Sequence, residues 1–422
     1  LTPTLHTLAN GVRVICDPMP GLQTLALSVV AGRGAAHEDA ARSGWSHLME
    51  HMVFKGAAGR SARQIVEAVE SQGGQINAAT GYERTSFQIR ALAGGLPLGM
   101  EILSDLILRP TLDAADLKKE KAVVAQEIAE AADTPDDLVF ELAQAAAYEG
   151  QSHGRPILGT TASLKPADPE SLEAWRAALY APDRLVVSAA GAVEEAQLLA
   201  LAQAAFGHLP AQTGAPQPPA PVFTAGVAAR SRKLEQAHLV LLLPAGGARD
   251  DDYFAQRLFV EILGGGMSSR LFQEARENRG LAYAIDAWSD TYAEGGMLGV
   301  YAGCAAGDAA ELARVCAGQI LALTAGVTDA ELARAKAQLK AHMFMAREQP
   351  LSRAEQAAGQ ALLFDRLYSP ADLAEAIDAV CPADIARIGG RMLEPGLTAG
   401  AVLGSRAALG AVALFGQALK SG

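Results

Sequence analysis

The chain has 422 residues, half of them hydrophobic and 19% charged, with a formal net charge of −12. That length exceeds one ordinary core, so two or more domains are expected, and the composition is globular rather than disordered. The acidic balance argues against a general nucleic-acid binder, whose surface must be basic to meet phosphates.

Taken in order, Gly11–Pro18 and Thr24–Gly32 read as strands, rich in Val, Ile and Leu beside turn residues. Helical periods follow at 44–55, 62–72 and 95–108, with strand-like Thr85–Ala91 between them, and long helices are expected near 114–131 and 136–149. Arg184–Gly191 reads as a late strand and Glu194–Gly207 as a closing helix. The stretch 210–222 carries five prolines in thirteen residues and no apolar period, so it reads as an extended linker. Beyond it the plan recurs, with strands at Ala237–Leu243, Leu281–Trp288, Met297–Gly303 and Leu397–Gly404. Helices are expected near 251–263, 268–278, 308–325, 329–347 and 353–365. The expectation is an α+β chain of two similar, duplicated domains at 1–209 and 223–422, joined by the linker 210–222. Each is a mostly antiparallel or mixed sheet with helices packed on one face.

Cys16, Cys304, Cys316 and Cys381 form no CxxC pair or tight cluster. A cysteine zinc site and a disulfide framework are therefore disfavoured, and buried free thiols are expected. No run of about 18 apolar residues occurs, so no membrane span is expected. The chain begins at Leu1 rather than Met, in keeping with trimming or with removal of an export or targeting segment. With the Ala-rich bias, this favours a bacterial protein of the periplasm or cytoplasm.

Chemistry concentrates in Ser43–Gly56, SGWSHLMEHMVFKG. Residues four apart on a helix differ by about 40° around the axis and one turn along it, so His47 and His51 point the same way. Glu50 reaches the edge of the same site, where its carboxylate suits a base acting on metal-activated water. Borderline-soft Zn2+ is the natural guest. A catalytic zinc needs a third protein ligand, and the helix carrying Glu120 and Glu127 is the best donor. Those two carboxylates are seven apart, within about 20° on one face, and Val123, Val124 and Ile128 mark parts of that helix as buried. A carboxylate on a buried face is costly unless paired or metal-bound. Spacing alone leaves open whether the two helices touch, and a solvated helix with two histidines would show the same motif.

With these residues in hand, the sequence resembles the pitrilysin-like inverzincin zinc metallopeptidases, through His47-x-x-Glu50-His51. Within them it is most similar to the subfamily of the mitochondrial processing peptidase and its bacterial homologues. His51 and Glu127 are 76 positions apart, the spacing of that subfamily's third ligand. Phe54-Lys55-Gly56, Gly73-Gly74-Gln75-Ile76-Asn77-Ala78, the run GRPILG at 154–159 and the run GGGMSSRLF at 264–272 follow in family order, so the resemblance covers nearly the whole chain. It implies one Zn2+ per chain held by His47, His51 and Glu127, with Glu50 as general base and Glu120 as a carboxylate behind the ligands that orients them. It implies that Asn77 touches the substrate backbone, and that Ala78, Ala79 and Thr80 form an edge strand to which peptide adds. Arg276 and Tyr283, seven apart in the second half, match the family's arginine–tyrosine pair, the tyrosine donating to the developing oxyanion and the arginine orienting the peptide. Arg279 lacks the family offset, and Arg270 reads as structural.

Three departures lie near the site: Ser46-His47-Leu48-Met49, Gly32-Arg33-Gly34 and Ala57 after Lys55-Gly56. None removes a group the chemistry needs. The resemblance implies a zinc endopeptidase acting on peptides or unfolded segments, as a homodimer or as a heterodimer with a homologous subunit. The alternative is a non-catalytic core or assembly subunit of the same fold.

Overall fold

A computed structural model describes residues 3–421 of the chain; Leu1 lies outside them. The first half forms β1 (Thr4–Thr7), β2 (Arg13–Pro18), β3 (Thr24–Ala31), α1 (Trp45–Val53), a short hairpin of β4 (Gly56–Ala57) and β5 (Arg60–Ser61), and α2 (Ala62–Glu70). The hairpin β6 (Gln75–Thr80) and β7 (Thr85–Leu92) leads into α3 (Leu96–Leu108), α4 (Ala114–Asp133), α5 (Pro135–Ala147), α6 (Thr161–Leu164) and α7 (Pro169–Leu179). β8 (Leu185–Gly191) and α8 (Glu195–Phe206) close this half. The second half forms β9 (Gly226–Ser231), β10 (Ala237–Ala245), α9 (Tyr253–Gly264), a π-helical segment at Phe272–Asn278, and the hairpin β11 (Ala282–Thr291) and β12 (Gly296–Cys304). Then come α10 (Ala309–Ala325), α11 (Asp329–Ala346), α12 (Pro350–Phe364), α13 (Pro370–Ala379), α14 (Pro382–Leu393), β13 (Ala399–Gly404) and α15 (Ala411–Ser421).

The duplication is visible in the sheets. One has the order β1-β2-β8-β3-β7-β6 and the other β9-β13-β10-β12-β11. In the first, β2 runs parallel to β8, and β8, β3, β7 and β6 then alternate. In the second, β9 runs parallel to β13, and β13, β10, β12 and β11 alternate in the same way. The copies thus match strand for strand, with β1 added to the first. β6 and β11 are the equivalent edges.

The expected strands and helices are present within a few residues. β1, β4, β5, β9, α6, α7 and α13 to α15 lie outside the elements expected from the sequence. β9 is largely exposed and reads GVAARS, with no alternation to mark it. Its pairing with β13, rather than its own pattern, makes it a strand. Cys16, Cys304 and Cys316 are buried free thiols as expected, whereas Cys381 is exposed, at the N-cap of α14. Among the described residues no single helix is long and apolar enough to cross a membrane.

Grouped by compactness, the first unit comprises residues 1–129, 156–218 and 344–369, and the second 130–155, 219–343 and 370–422. The proline-rich stretch, neither helix nor strand, contains the switch at 218/219. α5 and α12 are the elements that depart from the halves 1–209 and 223–422. Both begin with proline at the first turn, which supplies a preset φ where no amide hydrogen bond is lost.

In the first unit α1, α2, α3, α7 and α8 bury their apolar stripes on one face of the sheet. α12 covers part of the opposite face, where Ala357, Ala358, Ala361 and Leu362 pack on Ile15, Val30 and Val186. β2 and β8 are accordingly buried along almost their whole length. Ion pairs fasten the flanks of α12. Arg353 Nε donates to Asp17 Oδ2 at 2.6 Å, Arg13 donates to Asp365 at 2.6 Å, and Ser28 Oγ donates to Glu355. The second unit repeats the scheme: α5 lies on the face opposite the main core, and Phe140 stacks on Tyr301 at 5.4 Å. There Arg270 grips both oxygens of Glu331, at 2.7 and 3.0 Å, and donates to the Gly326 carbonyl. The arginine read as structural is so.

Two outcomes follow. The Asp17 side chain is 2% exposed, and removing one partner of a buried pair strands the other charge. Arg353→Ala should therefore cost on the order of 3 kcal/mol in urea unfolding, and Asp17→Asn with Arg353→Met should recover most of it. Secondly, Arg270 above all, with Thr328, holds the Glu331 carboxyl down at about 2. The unfolded chain binds its proton at about 4.3, so the stabilisation is present above that pH and lost as pH falls towards 2. Thermal melts of the parent chain and Glu331→Gln should differ at pH 6 and converge at pH 3 to 2.

Candidate metal centre

α1 starts where the chain turns sharply at Gly44, whose φ is +88° and whose added Cβ would meet the Leu158 carbonyl at 2.5 Å. Only glycine fits there. The first helical amides are capped by a buried carboxylate, Glu38, which accepts from Gly44 N at 2.8 Å and Ser46 N at 2.7 Å. Trp45, Leu48, Met49, Met52 and Val53 anchor the buried face of the helix. His47, Glu50 and His51 are left on its half-open face.

The helix pair that sequence spacing leaves open does meet. His47, His51 and Glu127 each offer one ligand atom, and these atoms lie within 4.8 Å of one another. Glu127 Oε2 is 3.9 Å from His47 Nε2 and 3.6 Å from His51 Nε2, and the imidazoles sit edge to face at 4.6 Å. Burial, and then the neighbouring His51, lowers the His47 pKa to about 4, so its ring is neutral and able to ligate at ordinary pH. Two imidazoles and a carboxylate suit Zn2+. Glu127 Oε2 is buried without a hydrogen-bond partner, which is the cost a cation at this point would remove.

Glu120 lies on the buried face of α4, 5% exposed. Its Oε2 is 3.1 Å from His51 Nδ1, and its Oε1 accepts from Lys55 Nζ at 2.8 Å. A carboxylate at Nδ1 selects the tautomer that leaves Nε2 free to ligate. Lys55 was not singled out as a site residue from the sequence, although it lies one turn beyond His51. Glu50 is pushed above the ordinary carboxyl range by burial, against the Thr80 hydroxyl, which donates to Glu50 Oε2 at 2.5 Å. Thr80 closes β6, the edge strand that also carries Asn77, Ala78 and Ala79. Along it Gln75, Asn77 and Ala79 are exposed and alternate with half-buried neighbours.

Arg276 and Tyr283 belong to the second unit. Arg276 lies over the Phe272 ring at 4.7 Å, and Tyr283 is 71% exposed on the edge strand β11. Arg279 is tied to Glu274 and Glu311. Arg33, in the divergent Gly32-Arg33-Gly34 segment, is buried and grips both oxygens of Asp183. That position is occupied structurally.

Comparison with known proteins places the chain in a family. Residues 13–161 match the family model described as insulinase (peptidase family M16), and residues 166–339 match that described as the peptidase M16 inactive domain. The chain belongs to peptidase family M16. It is 33% identical over 376 residues to the uncharacterized zinc protease YmxG of Bacillus subtilis, covering 89% of this chain and 92% of that one. It is 31% identical to an uncharacterized zinc protease of Rickettsia felis, covering 95% and 97%. A protease from Helicobacter pylori shares the fold at a TM-score of 0.88 and 20% identity, covering 96% of this chain and 99% of that one. A chain of Complex III2 from Candida albicans shares it at 0.85 and 17%, covering 99% of each.

The inactive-domain match starts beyond the His47–Glu127 motif. The helix of the second unit in the position of α1 is α9, YFAQRLFVEILG, with no histidine. Replacing Glu120 by alanine should lower Zn2+ affinity by about 10- to 100-fold, as for other carboxylates that orient ligating histidines, and His51→Ala should lower it further. Competition with a chromophoric chelator measures both.

Proposed function

We propose that this M16 protein is a zinc-dependent endopeptidase of peptides or unfolded segments, with Glu50 as general base. The observation that carries this reading is the convergence of His47, His51 and Glu127 around an unpartnered buried oxygen, with Glu50 on the same face of α1. The relatives' naming as zinc proteases supports the choice of metal.

When bound, Zn2+ acidifies water to a pKa near ~7 and polarises the scissile carbonyl. Glu50 then accepts the proton at its carboxylate and returns it to the leaving amine. Glu120 holds His51 through Nδ1, and Lys55 holds Glu120. β6 offers one unpaired edge, to which an extended peptide adds as a further strand along Asn77, Ala78 and Ala79. This requirement for extended chain favours unfolded or short peptides over folded proteins. The remaining pair, Arg276 and Tyr283, is assigned through the family resemblance to orienting the peptide and donating to the oxyanion. Tyr283 is exposed, as a hydroxyl that must meet substrate has to be. A homodimer with two such sites is the simple assembly, and a heterodimer with a homologous subunit is the other.

A non-catalytic assembly role is the second reading, prompted by the inactive-domain match. That name fits the half lacking the motif, and the first unit retains His47, His51, Glu127 and Glu50.

The purified chain should cleave an unstructured peptide library and stop on chelation. Glu50→Gln should keep stoichiometric zinc while losing at least about 100-fold in rate, the scale of a general base. Equal silence of both chains with zinc bound would favour the assembly reading.

A further inference from the structure

We infer that Thr80 is a positioning residue for the base: its hydroxyl holds one oxygen of Glu50 and leaves the other to handle the proton. This rests on the reading of Glu50 as general base. The motif His47-x-x-Glu50-His51 does not include Thr80, which lies thirty residues downstream on another element.

The contact is short and directional. Thr80 Oγ1 donates to Glu50 Oε2 at 2.5 Å, a length typical of a hydroxyl bound to a carboxylate. Glu50 has a long side chain whose terminal torsion is soft, so α1 alone does not settle which way its oxygens face. The Thr80 hydroxyl does. Among the described residues Oε1 accepts no side-chain hydrogen bond, and it is the oxygen available to a proton.

The donor is itself anchored. Thr80 pairs with Thr85 at the closed end of the β6–β7 hairpin. The following residue, Gly81, donates to the Arg84 carbonyl at 2.8 Å and accepts from Ala35 N at 2.9 Å. Ala36 N bonds the Tyr82 carbonyl at 2.8 Å. Gly34 closes this seam so tightly that an added Cβ would meet the Gly81 carbonyl at 2.2 Å. The hairpin end is therefore clamped to the loop after β3. Because Thr80 ends the edge strand, the base and the proposed substrate strand share one rigid support. A displacement of about 1 Å at a reacting group can cost about 100-fold in rate, so such support has catalytic weight.

The alternative is that the hydroxyl merely satisfies a half-buried carboxylate and matters only to stability. Thr80→Val separates the two, since valine keeps the shape and strand preference of threonine and removes only the hydroxyl. Thr80→Ser restores the hydroxyl. With a quenched-fluorescent unstructured peptide, Thr80→Val should bind zinc as the parent does and lose about 10- to 100-fold in kcat at unchanged KM. Thr80→Ser should stay within about threefold of the parent, since it keeps the Glu50 hydrogen bond. In zinc-free crystals the Glu50 carboxylate should hold its orientation in the parent and in Thr80→Ser, and turn in Thr80→Val. An unchanged kcat, a change in KM alone, loss of zinc or an unturned Glu50 in Thr80→Val would overturn the inference. If Glu50→Gln in the same series cleaves as the parent does, the general-base reading falls by itself. The crystal of Thr80→Val then still decides whether Thr80 holds Glu50.

Discussion

Burying the Glu120 carboxylate beneath α1 obliges two other groups to come to it. An ionised carboxylate in an apolar setting is tolerated only when its oxygens are paired, and here Lys55 Nζ takes one and His51 Nδ1 the other. That double pairing ties α4 to α1. It turns the His51 ring so that Nε2 faces Glu127, about two helical turns along α4 from Glu120. The clustering of His47, His51 and Glu127 rests on this one buried carboxylate being paired. Glu127 is the complement: its inner oxygen is left without a protein partner, at the point where the two Nε2 atoms converge.

The fold supplies the rigidity this demands. α1 is fixed at its start by Gly44 and Glu38 and along its length by the core, so its half-open face has little freedom to move. The edge hairpin is clamped through Gly34 and Gly81, which brings Thr80 to Glu50. Duplication explains the division of labour. Both copies keep the strand order and the edge hairpin, and only α1, not its counterpart α9, carries histidines. The second copy was free to place other groups, Arg276 and Tyr283 among them, near its own edge strand.

Much of the architecture was legible because it rests on local periodicity. The alternating or continuous apolar runs of β3, β7, β8, β10 and β12 and the 3.6-residue stripes of α1 to α5 announce themselves in the chain. β9 and α7 did not, since the first is an exposed strand made by its neighbour and the second has only three buried positions, Leu172, Trp175 and Leu179. The destination of α5 was likewise hidden. Its apolar face is plain in sequence, but nothing local says that Phe140 stacks on Tyr301, a partner from the second half.

The sequence by itself determined that His47, Glu50 and His51 share one helix face and that Glu120 and Glu127 share another, because helical spacing is a property of the backbone alone. Its apolar residues suggested that parts of the Glu120–Glu127 helix are buried, which holds for Val124 but not for Val123, 38% exposed. Only the tertiary structure decided that the two faces meet, that Lys55 and His51 divide the oxygens of Glu120, and that Thr80 reaches Glu50. Those contacts join residues 30 to 80 positions apart. Such pairings are chosen by how whole elements pack, and packing is a property of the assembled core rather than of any one segment.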